Sequence, residues 1–420
     1  MHGRTAAASR GNDRTTHHDP HQPTTWRGRN VIALGIVSFL TDIHSEAILA
    51  LLPQFMASVL GLSMSAIGAI EGVAEAGASL LKIASGWLSD KTGKRKPVVI
   101  AGYALSTAVK PLLAVASRGL HVLAVRIGDR IGKGIRTSAR DALLADSVAP
   151  EHRGRAYGFH RAMDTAGAIV GTALAFLLLK VFGLEYRAIF LLATVAGVLA
   201  VAALVVGVRE VPPKPKDESA AKKPAQRLAG SWTGFLVAHG IFSAGNFSYA
   251  FFMLRAKDVG FDEGWLPGLY LFHNVVYALA AFPAGRLLDR IGPRRAQPLS
   301  YLAQMLPCLG MALWATPATM LVWFALYGIQ LGATGACTRA TAAGLIPEGR
   351  RGAGMGIFHA VEGGGLFIAG VVGGQIWDRL DSGEVAFLTG ATLALIAAIL
   401  VRFALRPGQA ENAGSGQEDD

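Results

Sequence analysis

Gly86-Trp-Leu-Ser-Asp90-Lys91-Thr-Gly93-Lys94-Arg95-Lys96 returns roughly 200 residues later as Gly285-Arg-Leu-Leu-Asp289-Arg290-Ile-Gly292-Pro-Arg294-Arg295. Each copy is a short charged turn between two long apolar stretches. A charged turn repeated once per half is what a polytopic membrane protein built from two parallel repeats carries. The repeat extends past the turn. Pro150-Glu-His-Arg153-Gly154-x-x-x-Gly158 recurs as Pro347-Glu-Gly-Arg-Arg351-Gly352-x-x-x-Gly356, and at that offset Asp164 falls opposite Glu362 and Gly167 opposite Gly365.

Composition agrees. Of 420 residues, 52% are hydrophobic and only 16% charged, against about 25% charged in soluble domains. The 51 glycines suit close helix packing in lipid. The net charge of +11 is spread over short clusters between apolar spans, a topology signal that argues against a nucleic-acid surface. Cys308 and Cys337 lie in apolar stretches, so no disulfide framework or metal site is expected. No nucleophile elbow or phosphate loop is present, which argues against an enzyme and against a cofactor. His17, His18 and His21 are read as part of a solvated tail, with no metal assigned.

Spans of about 20 apolar residues are predicted at 31–52, 65–86, 97–116, 120–146, 157–181 and 187–208, then at 232–256, 264–288, 297–314, 318–346, 352–376 and 384–405. The expected organisation is a disordered N-terminal tail over 1–30, a six-helix half over 31–208, a polar linker over 209–231, a second six-helix half over 232–406 and a disordered tail over 407–420. Basic residues alternate between loops, which places both termini and the linker in the cytoplasm.

Ionisable groups inside spans cost about 2.5–3.5 kcal/mol each, so each needs a partner, a water-filled cavity or a role. Asp42 and Glu46 share one face of the first helix, and Glu71 and Glu75 one face of the second. In the fourth, Arg126, Asp129, Arg130, Lys133, Arg136 and Arg140 follow at steps of three or four. The fifth carries His160, Arg161 and Asp164. At least one carboxylate here is expected to change protonation during a working cycle, with Asp42 and Glu71 favoured, Arg130 their counter-charge, and Glu46, Glu75 and Asp164 the other candidates. Lys133, Arg136, His160 and Arg161 are candidate cargo contacts. So are Asn246, Tyr249, His273, Asn274, Arg339, His359 and Glu362 in the less charged second half.

The two charged turns, with the pattern G-x-x-x-D-[RK]-x-G-[RK]-[RK], resemble the signature loop of the major facilitator superfamily. That resemblance covers residues 30–406 and implies an all-α integral membrane fold of twelve transmembrane helices in two pseudo-symmetric six-helix halves. It implies a secondary transporter, a monomer in the bacterial inner membrane, whose partners are a small molecule, protons and lipid. It also implies a gating role for Gly86, Asp90, Lys91, Gly93, Lys94, Arg95, Gly285, Asp289, Arg290 and Gly292, and a coupling role for Arg130, which sits in Arg130-x-x-x-Gly134. Gly167-x-x-x-Gly171-Thr172 is similar to an antiporter pattern, with Thr172 in the place of its proline. Gly132 to Ser147 resembles a block found in a bacterial subgroup of drug, metal or metabolite exporters. Proton-coupled efflux is the leading expectation. Proton-coupled import of an anionic metabolite, favoured by the excess of Arg and Lys on the fourth helix, is one alternative, and a non-transporting sensor or scaffold on the same fold is another.

Two outcomes test this reading. Cysteines at Asp262 and Lys222 should label from opposite sides of the membrane, and labelling of both from one side contradicts the topology. Asp90→Asn should slow turnover while leaving substrate affinity within about a few-fold, because a gate acts on the balance of states.

Overall fold

The computed structural model describes residues 27–75, 77, 95–149, 152–211, 231–346 and 351–405. The first charged turn up to Lys94, the linker 212–230 and the His17–His21 cluster lie outside them. So, among the gating candidates, do Gly86, Asp90, Lys91, Gly93 and Lys94.

Among the described residues the chain is helical, without a strand. The first half comprises α1 (Arg29–Leu49, prolonged through Phe55–Val59), α2 (64–75), α3 (Arg95–Val109, tightening over Lys110–Val115), α4 (Gly119–Asp146), α5 (Arg153–Phe176, widening over Leu177–Val181) and α6 (Tyr186–Gly207). The second comprises α7 (Trp232–Ala244 and Tyr249–Asp258), α8 (Leu266–Ile291), α9 (Pro293–Leu313), α10 (Met320–Leu345), α11 (Arg351–Leu380) and α12 (Gly383–Ala404). The pairings repeat: α1 packs on α5 as α7 packs on α11, and α3 on α6 as α9 on α12.

Seven of these helical stretches are long and apolar enough to cross a bilayer. The α4 helix is not among them, because its charge stripe lowers its hydropathy, and it stays inside the bundle through the ion pairs described below. By contrast, α6 turns Leu191, Leu192, Val195, Val198 and Leu199 outward, an apolar stripe of the kind that suits a hydrocarbon surrounding.

The predicted span 232–256 is not continuous. Gly245-Asn246-Phe247-Ser248 breaks α7. Glycine, asparagine and serine are weak helix formers, and the break carries Phe247 into the core, where it stacks on Phe251 at 4.9 Å and meets Phe387 edge-on at 5.7 Å. The second charged turn is short. The α8 helix ends at Ile291, Gly292 takes φ +74°, and Pro293 starts α9. The left-handed φ needs glycine, and proline fits a first helical position. Gly285 and Asp289 thus sit on the last turns of α8, with Arg290 exposed beside them.

At the basic end, where α1 begins and α12 finishes, each half has its own apolar core: one around Val31, Tyr103 and Leu143, the other around Phe235, Tyr301 and Phe358. At the far end one core spans both halves, including Phe55, Phe190, Phe252 and Phe387. Polar contacts reinforce that junction. Asp378 of α11 accepts from the backbone N–H groups of Met64 (2.9 Å) and Ser65 (2.8 Å) at the start of α2, satisfying donors that a helix N-terminus leaves open. Lys180 donates to Asp262 at 3.0 Å, which holds that carboxyl below the usual aspartate range. This contribution is complete above the ordinary aspartate pKa of about 4 and disappears as pH falls below it.

The same junction brings α2 against α11. A Cβ on Gly68 would lie 2.0 Å from the carbonyl oxygen of Gly370, so no side chain fits without separating the helices. Gly68→Val is therefore expected to open the far end, raising the reactivity of a cysteine placed at Ser65. Unchanged reactivity contradicts the close approach.

Candidate functional site

The charge stripe of α4 faces inward, and each of its members has a different setting. Arg126 donates to Glu71 of α2 at 2.5 Å, with both side chains almost fully buried. One turn on, Arg130 meets Glu75 at 3.0 Å. Asp129 takes Lys110 of α3 at 2.9 Å and the Ser106 hydroxyl at 2.5 Å, while Lys110 also donates to Ser45 of α1 at 2.8 Å. These pairs tie α1, α2 and α3 to α4. Arg130 thus stands opposite Glu75 and not opposite Asp42 or Glu71, where the sequence reading put it. Arg95 pairs with Asp146 at the end of α4, while Glu210 accepts from the backbone N–H groups of Arg95 and Lys96 at 3.0 and 2.9 Å.

At the next positions of α4 the pairing is interrupted. Lys133 and Asp42 make no hydrogen bond or salt bridge among the described residues, yet lie within electrostatic reach of each other and of Arg136. The Arg136 guanidinium lies 4.3 Å over the Tyr103 ring, and its Nε and Nη1 are buried without a hydrogen-bond partner among the described residues. Glu46 accepts from Tyr270 of the other half at 3.0 Å. All four line a central cavity of about 540 Å³ between the halves.

Around that cavity stand five cations, Lys133, Arg136, Arg140, Arg161 and Arg339, against three carboxylates, Asp42, Glu46 and Asp164. Two of the cations are already matched: Arg140 by Asp141 at 2.8 Å and Arg161 by Asp164 at 3.5 Å. Ser38 also bonds Asp164, and Arg161 reaches Tyr277 across the halves at 2.9 Å. Among the described residues Arg339 bonds only a carbonyl of its own helix, Gly335 at 2.8 Å, and it is an exposed residue lining the cavity. The surplus is thus positive and sits on Lys133, Arg136 and Arg339. Such clustering in a concave, low-dielectric space favours anions.

The second-half candidates divide. Tyr249, His273 and Asn274 line the central cavity. Asn246, His359 and Glu362 line a neighbouring one of about 280 Å³, where His359 and Glu362 stand 3.2 Å apart. His160 lines a third cavity of about 420 Å³ toward the basic end, shared with Arg140, Arg161 and Arg339. Among the described residues, the hydrogen bonds that join the halves run from Arg161–Tyr277 toward the far end, and the basic-end cavity lies on the other side of them.

Sequence reasoning passed over Tyr270, Tyr103, Ser38 and His44. Tyr270 lies three and four residues before His273 and Asn274, so a shared face of α8 was available as a signal. His44 sits fully buried between Asp42 and Glu46 in sequence, with neither ring nitrogen hydrogen-bonded.

Two six-helix halves around a charged cavity define a polytopic membrane carrier. The chain belongs to the Major Facilitator Superfamily, whose family model matches residues 34–272 and 236–420. It is 34% identical over 381 residues to an uncharacterized MFS-type transporter of Methanocaldococcus jannaschii, covering 89% of this chain and 94% of that one. It is also 27% identical over 184 residues to the multidrug resistance protein MdtH of Aeromonas hydrophila, covering 43% and 46%. Among solved structures, the nucleoside transporter NupG matches with a TM-score of 0.72 at 14% identity, over 88% of this chain and 98% of that one. A bacterial homolog of the human lysosomal transporter Spinster matches at 0.71 and 15%, over 91% and 97%. The protein is a multi-pass membrane transporter of this family.

Breaking the buried Glu71–Arg126 pair one-sidedly strands a charge, at about 3–5 kcal/mol. Glu71→Gln and Arg126→Gln should each lower the melting temperature of the purified protein, and the double variant Glu71→Leu, Arg126→Met should recover much of the loss. Additive losses contradict the pairing.

Proposed function

We propose that this protein is a proton-coupled secondary transporter of a small organic anion. The observation that carries the reading is the unpaired Asp42 beside Lys133 and Arg136, in a cavity with more cations than carboxylates. An ionised Asp42 offsets the positive charge of its neighbours, whereas a protonated Asp42 leaves those cations to an incoming anion. Proton and anion therefore bind together, and by reciprocity each raises the affinity for the other. Glu46 is the second proton candidate, because its one hydrogen-bond partner among the described residues is a neutral tyrosine hydroxyl. Glu71 and Glu75 hold arginines and serve the scaffold, so the coupling role moves from Glu71 to Asp42 and Glu46. Asp164, between Ser38 and Arg161, is the reserve site.

Co-binding of proton and anion describes symport, which with an inward proton gradient means uptake. It favours the anionic-metabolite alternative over proton-driven efflux, the leading expectation from sequence. Efflux by antiport is the second reading, favoured by the likeness to MdtH over 43% of the chain. It requires cargo and proton to compete for one carboxylate. The proposed setting is a bacterial inner membrane, with the basic end and both termini cytoplasmic by the distribution of Arg and Lys.

Deletion and overexpression strains separate the readings. Loss of growth on an organic acid with unchanged tolerance to antibiotics, toxic metals and metalloid oxyanions is the expected result, and the reverse pattern supports efflux. In vesicles, Asp42→Asn should abolish accumulation driven by a proton gradient while preserving downhill exchange of cargo. Full gradient-driven accumulation in both Asp42→Asn and Glu46→Gln contradicts the assignment.

A further inference from the structure

The two walls of the central cavity differ in chemistry. The first half lines it with the charges of α1, α4 and α5. The second half contributes one cation, Arg339, and mainly rings, those of Tyr249, Tyr270, His273, Tyr277 and Tyr327. With Tyr103 of the first half, five of the chain's eight tyrosines line this cavity, and no phenylalanine among the described residues does. The ring wall is therefore not a stray piece of apolar core. Its rings brace one another in a row. Tyr249 lies 4.9 Å from Tyr270, Tyr270 lies 6.0 Å from His273, and His273 lies 4.6 Å from Tyr327. A wall held in this way has little freedom left to lose when a ligand settles on it. The polar ends of the wall are already engaged. Tyr270 donates to Glu46 at 3.0 Å, Tyr277 accepts from Arg161 at 2.9 Å, and Asn274 donates to Thr172 at 3.4 Å. Tyr249 is half-buried, yet its hydroxyl oxygen is closed off, so the hydroxyl is not what it offers the cavity. One wall thus presents charge, and the other presents aromatic carbon.

We infer that the transported anion is an aromatic acid. Its acidic group lies against Lys133 and Arg136 of the first half, and its ring lies against the tyrosine row of the second. The inference rests on the anion reading above and adds the chemistry of the rest of the molecule. A flat ring meets the row in offset-stacked or edge-to-face contacts, which add to what its buried area alone supplies. A puckered ring of the same size buries similar area without that addition. A polyhydroxylated chain loses its water to a wall whose hydrogen-bonding groups are occupied, which is unfavourable. Cargo of this kind also spans the two halves, with its charge on one and its ring on the other. Its binding is therefore sensitive to how far apart the halves stand, as alternating access requires.

The purified full-length protein is titrated, with thermal stability as readout, against 3-phenylpropionate, 3-cyclohexylpropionate, gluconate and tetraphenylphosphonium. The phenyl acid is expected to bind about two- to tenfold more tightly than its cyclohexyl counterpart, and both more tightly than gluconate. In Tyr249→Leu and in Tyr277→Leu the phenyl-to-cyclohexyl ratio should fall toward one, with retained binding of the cyclohexyl acid reporting a folded site. Tyr277→Phe, which keeps the ring and loses only the bond to Arg161, should keep the ratio. Equal binding of the two ring acids to the unaltered protein, or tighter binding of gluconate, overturns the inference and leaves the anion reading standing. A phenyl preference that survives both leucine variants overturns the assignment of the tyrosine wall. Failure of the phenyl acid to bind at millimolar concentration also overturns the inference. Binding of tetraphenylphosphonium with none of the anions overturns the anion reading itself, and the inference with it.

Discussion

A row of charges on α4 cannot remain in hydrocarbon unaccompanied, and the Glu71–Arg126 pair is where that constraint is met most completely. Both side chains are buried and stand 2.5 Å apart, in a setting where losing either partner is far more damaging than losing both. The pair fixes α2 against α4. Its neighbours, Glu75–Arg130 and Asp129–Lys110, extend the same solution along the helix and bring in α3. Once those three pairs are made, the register of the first half is set. Lys133 and Arg136 are left facing the cavity between the halves, while farther along the helix Arg140 pairs with Asp141 and Asp146 with Arg95. The unmatched charge in the cavity thus lies where the run of structural pairs along α4 is interrupted.

The far end shows how the halves are held together around that surplus. A shared apolar core, the close approach of Gly68 to Gly370 and the Asp378 contact with the start of α2 hold the halves together there. At the basic end each half keeps its own core. Transport through such a frame requires these contacts to break and others to form at the opposite end. Interactions confined to one end therefore bias the equilibrium between states, whereas those within a half do not.

Much of this was legible in the sequence, and the limits have physical causes. The repeated charged turn and the alternation of basic loops specify twelve helices in two halves, because hydropathy and loop charge are local properties. The α4 stripe could be read directly from its three-and-four spacing. Its partners could not, since periodicity tells which face a residue occupies but not which neighbouring helix meets that face. Arg130 was therefore expected near Asp42 or Glu71 and stands with Glu75. The break in α7 was hidden by a run whose apolar content resembles an intact span. Tyr270 carries no charge and reads as core until Glu46 is seen beside it.

The central claim is that a proton on Asp42 and an anion on Lys133, Arg136 and Arg339 bind as a pair. The direct measurement is proton exchange on ligand binding. Purified protein in weakly buffered detergent solution receives the organic anion that stabilises it most, and the pH change is recorded. Uptake of about one proton per anion bound, absent in Asp42→Asn, is what thermodynamic linkage requires. Proton release on binding, or uptake unaltered in Asp42→Asn, would contradict the account.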